Sequence, residues 1–154
     1  MDQKIRLAVI DDEPIVCQRL KQIFKKGSYE VETFGEGRTA LQRMAEKNFQ
    51  LILSDIRLPD MDGLEILKRI KKEYPGTEVI LITGYATLDQ AVEAVKKGAF
   101  YYLAKPFSPN QVLAIVGRAV DHLMLSHENQ QLRKELRQKY SFESIIGISS
   151  QSRS

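Results

Sequence analysis

The chain has 154 residues, of which 43% are hydrophobic and 28% are charged. This composition predicts one globular domain with an extension, and it excludes a membrane-spanning protein because no run approaches the roughly 20 apolar residues of a transmembrane helix. The net charge of +3 comes from 23 basic and 20 acidic residues that are interspersed along the chain. So small and dispersed an excess gives no indication of binding to nucleic acid or to a membrane surface.

Short apolar runs alternate with amphipathic segments along the chain. The runs predict β-strands at residues 5–10, 29–34, 51–54, 78–82 and 100–104. A period close to 3.6 residues predicts helices at residues 14–26, 37–47, 63–73, 87–97 and from 108 onward. Strand–helix–strand units pair their strands in parallel through right-handed crossovers. The alternation therefore predicts an α/β fold whose central, most continuously apolar strands are covered on both faces.

Four of the predicted strands end in side chains that can bind a ligand or take part in a reaction. Asp11 and Asp12 follow the first strand, Asp55 the third, Thr83 the fourth and Lys105 the fifth. Ligands of open parallel sheets bind beyond the carboxyl ends of the strands, so we expect these groups to meet at one edge. Three carboxylates, a hydroxyl and an ammonium suit a divalent cation and a phosphoryl group. For the first acidic pair, capping of the following helix is the rival interpretation.

Asp55 is the expected phosphoacceptor of this cluster. A carboxylate repels an incoming phosphoryl group, so a cation must lie nearby, and Asp11 and Asp12 would hold Mg²⁺ together with Asp55. Lys105 would neutralise one phosphoryl oxygen, and the hydroxyl of Thr83 would donate a hydrogen bond to another. Catalysis would then consist of positioning and charge stabilisation.

The last predicted helix continues well past the expected end of the domain. From residue 110 to 140 the chain has no proline and a single glycine, so we predict a helix from residue 108 to 140 that is about 50 Å long at 1.5 Å per residue. Leu125, Asn129, Leu132 and Leu136 repeat at spacings of four and three. This pattern is typical of a short coiled-coil seam and predicts a homodimer through a linker at residues 121–140. A solvated helical tail is the alternative.

Five motifs give the chain a resemblance to a known family: Asp11-Asp12-Glu13, Ser54-Asp55, Leu58-Pro59-Asp60-Met61-Asp62-Gly63, Thr83-Gly84 and Lys105-Pro106-Phe107. With their strands in order, they resemble the receiver domain of response regulators in bacterial two-component signalling. The resemblance spans roughly residues 4–120. It implies a receiver domain at residues 1–120 with a flavodoxin-like, doubly wound (βα)5 parallel sheet of strand order 2-1-3-4-5, extended by the C-terminal helix.

The resemblance also implies roles for individual residues. Asp55 would receive the phosphoryl group from a partner histidine kinase. Asp12 and Asp55 would bind Mg²⁺ directly, Asp11 would help through water, and the backbone carbonyl of Arg57 would complete the protein ligands.

Two further correspondences concern the switch. Tyr102 matches the aromatic residue that turns inward when the threonine, here Thr83, moves; simple strand packing of Tyr102 is the alternative. Arg57 and Tyr85 match the positions that tune autodephosphorylation in the family.

The tail carries a second resemblance. A long helix followed by Phe142-x-x-Ile145-Ile146-Gly147 resembles the linker and first residues of sigma-54-dependent activators, of the nitrogen-regulation or dicarboxylate-transport type. It implies that residues 141–154 start a further domain, an AAA+ ATPase of the same full-length chain. The usual Ser-Pro after Ile-Gly is replaced by Ile148-Ser149-Ser150-Gln151, and the sequence has no Gly-x4-Gly-Lys-Ser/Thr loop. We therefore expect no ATPase within these residues and no direct contact with nucleic acid.

Two alternative functions fit parts of the same pattern. A Mg²⁺-dependent phosphotransferase also uses a strand-end aspartate, but an acid/base aspartate usually follows two residues later, where this chain has Arg57. A constitutive dimerisation module with a vestigial pocket would not need all five pocket side chains. We therefore predict a signalling switch rather than an enzyme with a separate substrate. With one cysteine, Cys17, and no signal-peptide pattern, we expect it in the cytoplasm.

Overall fold

The computed structural model describes residues 4–85 and 87–145, with side chains described up to residue 139. Within these residues strands and helices alternate in five pairs. The strands are β1 (Ile5–Ile10), β2 (Tyr29–Phe34), β3 (Leu51–Asp55), β4 (Glu78–Thr83) and β5 (Tyr101–Ala104). The helices are α1 (Pro14–Lys25), α2 (Gly37–Glu46), α3 (Gly63–Glu73), α4 (Leu88–Lys96) and α5 (Pro109–Ile145). All neighbouring strands are parallel and their order is β2-β1-β3-β4-β5, which confirms the predicted doubly wound fold.

The apolar strands occupy the middle of the sheet, as their sequences indicate. Every residue of β3 and β4 is buried, and so are the last four residues of β1. Helices cover both faces of the sheet with apolar stripes, among them Leu20 and Phe24 of α1 and Ile66 and Ile70 of α3, each 0% exposed. Full burial of such a side chain stabilises the fold by roughly 1.5–3 kcal/mol. The buried sheet therefore supports the side chains that stand at the carboxyl ends of its strands.

Two strands run one residue further than the sequence pattern indicates. Asp55 pairs with Ile82 and Thr83 pairs with Ala104, so both polar residues belong to the parallel ladder. The reason is that the backbone pairs with its neighbour whatever the side chain, and Ile56 N–H still donates to Ile82 O at 2.9 Å. These two side chains are consequently held by the sheet rather than by loops.

Helix α5 begins with a reciprocal cap. Gln111 N–H donates to Ser108 Oγ at 3.1 Å, and Ser108 N–H donates to Gln111 Oε1 at 2.9 Å, so Ser108 caps the helix as predicted. The helix extends to Ile145 instead of residue 140, because no proline or glycine stands between Gly117 and Gly147. Its first turns bury Val112, Val116 and Ala119.

The chain forms two compact units, Met1–Val120 and Asp121–Ser154. In the second unit, the predicted seam residues stand in solvent in the single chain: Leu125 is 61%, Leu132 56% and Leu136 50% exposed, and Asn129 is exposed as well. The predicted start of a further domain falls largely at residues 146–154, outside the described residues. None of the helices in the described part of the chain is both long and apolar enough to cross a membrane.

Candidate functional site

The carboxyl edge of the sheet brings the predicted side chains together. Carboxylate oxygens of Asp11, Asp12 and Asp55 lie within 4.8 Å of one another. Lys105 Nζ reaches into the same cluster and lies 2.9 Å from both Asp11 Oδ2 and Asp55 Oδ2. Thr83 is connected through the backbone, because Lys105 N–H donates to Thr83 O at 2.7 Å. Residues from four strand ends thus share one site.

Local turns hold the two buried carboxylates in place. Asp11 Oδ1 accepts a hydrogen bond from Glu13 N–H at 2.9 Å, and Asp55 Oδ1 accepts one from Arg57 N–H at 3.0 Å. Each aspartate thereby uses one oxygen for the turn that follows it and presents the other to Lys105. The N-cap of α1 is Glu13, whose side chain makes no capping hydrogen bond. The acidic pair therefore serves the cluster instead of capping α1.

Glu13 is a member of the cluster to which sequence reasoning assigned no role. Its Oε1 lies 2.9 Å from Lys105 Nζ, so one ammonium contacts three carboxylates. The sequence feature that could have indicated Glu13 is its place in the Asp-Asp-Glu motif. Glu13 lies 92 positions away from Lys105, however, and only the fold shows their contact. Burial disfavours the charge of Lys105, yet its contacts with Asp55, Glu13 and Asp11 raise its pKa above the ordinary value, so the lysine stays protonated.

Asp11 shows most clearly that the cluster suits a cation. It is 1% exposed, and burial raises the pKa of its carboxyl, although Glu13 N–H and Lys105 act in the opposite direction. Its Oδ2 lies 2.9 Å from Lys105 Nζ as an ion pair, but it accepts no directed hydrogen bond from the described residues. A buried carboxylate oxygen without a hydrogen bond, beside two further carboxylates, fits the oxygen ligands that Mg²⁺ prefers.

Thr83 is 1% exposed, and its hydroxyl faces the loop that follows β4. Thr83 Oγ1 accepts a hydrogen bond from Tyr85 N–H at 3.1 Å. A hydroxyl that accepts in this way still carries a proton that it can donate. The Thr83 hydroxyl is therefore connected to the loop that follows β4 and keeps a proton that it can donate.

Tyr102 lies on β5 with its ring half-buried and its hydroxyl directed to α4. The hydroxyl donates to Gln90 Oε1 at 2.9 Å, and Gln90 N–H in turn donates to the capping Thr87 Oγ1 at 3.1 Å. Burial raises the pKa of Tyr102. The neighbouring Tyr101 is 40% exposed. Tyr102 is thus the tyrosine that connects β5 to the start of α4, and Gln90 is a partner that no sequence motif indicated.

The two residues that stand two positions after Asp55 and Thr83 meet across the loops. The guanidinium carbon of Arg57 lies 4.5 Å from the centre of the Tyr85 ring, within the range of a cation–π contact. Tyr85 is 67% exposed. The pair forms an outer rim at this end of the sheet, linking the loops that follow β3 and β4.

Comparisons with known proteins agree with this arrangement. The chain matches the family described as "Response regulator receiver domain" over residues 7–117. It is 40% identical over 125 residues to the DNA-binding transcriptional regulator NtrC of Escherichia coli K12, a match covering 81% of this chain and 26% of that protein. The chain therefore spans about a quarter of the length of that relative.

Solved structures show the same fold. The CheY-like receiver domain protein of Methanospirillum hungatei JF-1 superimposes with a TM-score of 0.77 at 33% identity, covering 80% of this chain and 99% of that one. The beryllofluoride-activated NtrC4 receiver domain dimer gives a TM-score of 0.74 at 36% identity, covering 77% and 98%. With the strand order and the acidic cluster described above, these matches show that the chain belongs to the response regulator receiver domain family.

Proposed function

We propose that this receiver domain accepts a phosphoryl group on Asp55 from a histidine kinase, with Mg²⁺ bound at the acidic cluster. The observation that carries the proposal is the position of Asp55, whose Oδ2 lies 2.9 Å from Lys105 Nζ and whose carboxylate neighbours Asp11 and Asp12 within 4.8 Å. Arg57, whose N–H already holds Asp55 Oδ1, would add its carbonyl to the metal ligands. As a switch, the domain would need no separate substrate to turn over.

The reaction follows from the groups present. An Asp55 carboxylate oxygen forms a bond to phosphorus while the bond between phosphorus and the kinase imidazole nitrogen breaks, and the nitrogen keeps the electron pair. When bound at the cluster, Mg²⁺ supplies positive charge that offsets the repulsion between the carboxylate and the phosphoryl group. Lys105 neutralises a phosphoryl oxygen, and the Thr83 hydroxyl donates to another.

The switch would run from Thr83 to Tyr102. A Thr83 hydroxyl drawn toward the phosphoryl group pulls on the β4–α4 loop through Tyr85 N–H. Inward rotation of Tyr102 would break its hydrogen bond to Gln90, and α4 would lose a tether near its start. The result is a changed surface on α4 and β5, where a local charge event biases a two-state element.

That surface is already apolar in this state. Leu88 is 80%, Val92 45% and Val95 60% exposed on α4, and Tyr101 is 40% exposed on β5. We propose that it contacts a second copy of the chain when Asp55 is phosphorylated, in addition to pairing of the linker through Leu125, Asn129, Leu132 and Leu136. The similarity to a receiver domain that forms a dimer when activated by beryllofluoride supports this assignment.

A beryllofluoride titration tests both parts of the proposal. With Mg²⁺ present, we expect fluorine NMR to show beryllofluoride bound as a phosphoryl mimic. Sedimentation equilibrium should show a shift in assembly at the same ratio of beryllofluoride to protein. Absence of bound fluoride would contradict the phosphoacceptor role. Binding without any change in assembly, and without a change in the amide spectra of α4, would contradict the coupling. A chain that stays monomeric under all conditions would contradict the predicted pairing of the linker helices.

The partner kinase would dock in a groove beside the pocket. A cavity of about 300 Å³ is lined by Val16 and Arg19 of α1 and by Lys105, Pro106 and Phe107 after β5. Lys105 belongs both to this groove and to the acidic cluster, so a partner seated there is adjacent to Asp55. The first turn of α1 adds Ile15, which is 66% exposed and available for contact.

Phe107→Ala is expected to slow phosphorylation by a histidine kinase about thirtyfold, the loss typical of an interface anchor worth about 2 kcal/mol. Phosphorylation by a small acyl phosphate should keep its rate, because that donor needs no docking surface. Met124→Ala, which removes a 55% exposed apolar side chain of α5 outside the groove, is the matched control. Equal slowing with both donors would place the defect in the pocket and refute the docking site.

The wider setting is also a proposal. We infer that the domain acts in the cytoplasm as the receiver of a transcriptional activator, where it controls an ATPase domain of the same full-length protein. The similarity to the transcriptional regulator NtrC, which is about four times longer than the matched region, supports this reading. The tail motif that resembles sigma-54-dependent activators supports it independently.

A further inference from the structure

The N-terminus of α2 is capped from a distant part of the chain. Its own N-cap residue, Glu36, makes no side-chain capping hydrogen bond. Asp60 takes that role instead: Gly37 N–H donates to its Oδ1 at 2.9 Å and Arg38 N–H donates to its Oδ2 at 2.8 Å. Both carboxylate oxygens are used, and the negative charge is placed at the positive end of the helix dipole.

The charge of Asp60 persists at neutral pH. Partial burial opposes ionisation, but the hydrogen bonds from Arg38 and Gly37 hold the pKa of this carboxyl below its usual range. The stabilisation is present above the unfolded-state pKa and is lost as the pH falls through the lower, folded-state pKa. Around neutrality the contact between Asp60 and α2 is therefore complete.

Packing reinforces the same contact. A Cβ atom at Gly37 would lie 2.7 Å from both Cγ and Sδ of Met61 and 2.6 Å from Cδ1 of Ile66. The Met61 side chain therefore lies directly against the first residue of α2, where only glycine leaves room for it. The β3–α3 loop (residues 56–62) is thus fixed to α2 by one polar and one apolar contact.

The same loop also determines how Asp55 is presented. Arg57 N–H holds Asp55 Oδ1 at 3.0 Å, and Arg57 pairs with Asp62 in an isolated bridge. Gly63 N–H donates to Ile56 O at 2.8 Å. These contacts close the loop at its base, and the hydrogen bonds to Asp60 fix its outer part to α2.

We propose that Asp60 is a positioning residue for the acidic pocket: by anchoring the β3–α3 loop to α2, it sets the geometry in which Asp55 and Arg57 offer oxygens to Mg²⁺. The inference rests on the proposed function, because it concerns the affinity of that metal site. Asp60 itself is not a ligand; it acts through the loop.

Mg²⁺ titrations followed by amide NMR test the inference. Asp60→Ala should raise the dissociation constant for Mg²⁺ about tenfold, the lower end of the range for residues that orient metal ligands. Asp60→Asn, which keeps one acceptor oxygen, should give an intermediate value and serves if the alanine variant does not fold. Hydrogen exchange of the Gly37 and Arg38 amides should accelerate in both variants, which reports loss of the contact without reference to the metal.

Thr77→Ala is the matched control. It removes the buried hydrogen bond from Thr77 Oγ1 to Phe49 O, at 2.7 Å, and lowers stability at the opposite end of β4, about 20 Å from the pocket by strand rise. Its dissociation constant should equal that of the wild type. Unchanged affinity in both Asp60 variants, or an equal loss in Thr77→Ala, would overturn the inference. A wild-type chain without Mg²⁺ binding would instead overturn the proposed function.

Discussion

Asp55→Asn is expected to reduce Mg²⁺-dependent phosphorylation of the chain to background. The amide is neutral and weakly nucleophilic, so it neither attacks phosphorus nor contributes charge to the metal site. The measurement is incorporation of acid-labile phosphate from a small acyl phosphate, with and without Mg²⁺. Asp121→Asn, the same chemical change at an exposed position of α5, should leave incorporation unchanged.

The Asp55→Asn variant should still fold. Lys105 keeps its contacts with Asp11 and Glu13, and an amide oxygen can accept the hydrogen bond from Arg57 N–H that Asp55 Oδ1 now accepts. Circular dichroism and urea unfolding would verify this. If a folded Asp55→Asn protein still incorporated phosphate, the acceptor would have to be another residue and the proposed function would be wrong.

Gly63→Ala is expected to lower the free energy of unfolding by about 3 kcal/mol, the cost of forced overpacking. A Cβ atom at this position would lie 2.6 Å from both Asp55 O and Ile56 Cα. These are backbone atoms of β3 and its continuation, so they cannot rotate away as a flexible side chain would. Relief of the clash must displace α3 or the strand end that carries Asp55, and Mg²⁺ affinity should fall together with stability.

Gly117→Ala provides the opposite control. Among the described residues, no atom outside the neighbouring turns of the helix backbone lies within 4 Å of the position that its Cβ would take, and the residue stands inside α5. Alanine in a helix interior is favoured over glycine, so this variant should gain about 0.5–1 kcal/mol. Urea unfolding of the two variants beside the wild type measures both effects. A Gly63→Ala protein as stable as the wild type would show that the loop tolerates the added methyl group.

Much of the fold was predictable because its signals are local. The apolar runs at the centres of β1, β3 and β4, which are residues 7–10, 51–53 and 79–82, have no polar interruption, and the amphipathic period of each helix can be recognised within a single sequence window. The positions of Asp11, Asp55, Thr83 and Lys105 at strand ends were predictable as well, because parallel strands present their carboxyl ends to one edge. The order 2-1-3-4-5 came from family resemblance and was confirmed by the strand pairing.

The contacts within the site were not predictable, since they join residues that are distant in the sequence. Glu13 meets Lys105 across 92 positions, and Tyr102 meets Gln90 across 12. Ile15 fits the helical period of α1 and yet is 66% exposed, because periodicity identifies an apolar side of a helix and not how far the sheet extends beneath it.

Local sequence patterns predict which elements form and which side chains stand at their ends, and the order of the strand ends predicts that three carboxylates and one lysine converge. The fold shows how the charged groups are arranged: Asp11 and Asp55 each turn one oxygen toward a following backbone N–H and the other toward Lys105. It also shows that Asp60 caps α2 from a separate loop. The physical reason is that propensity and periodicity act over neighbouring residues, whereas ion pairs, caps and steric contacts depend on distances that exist only after the sheet has assembled.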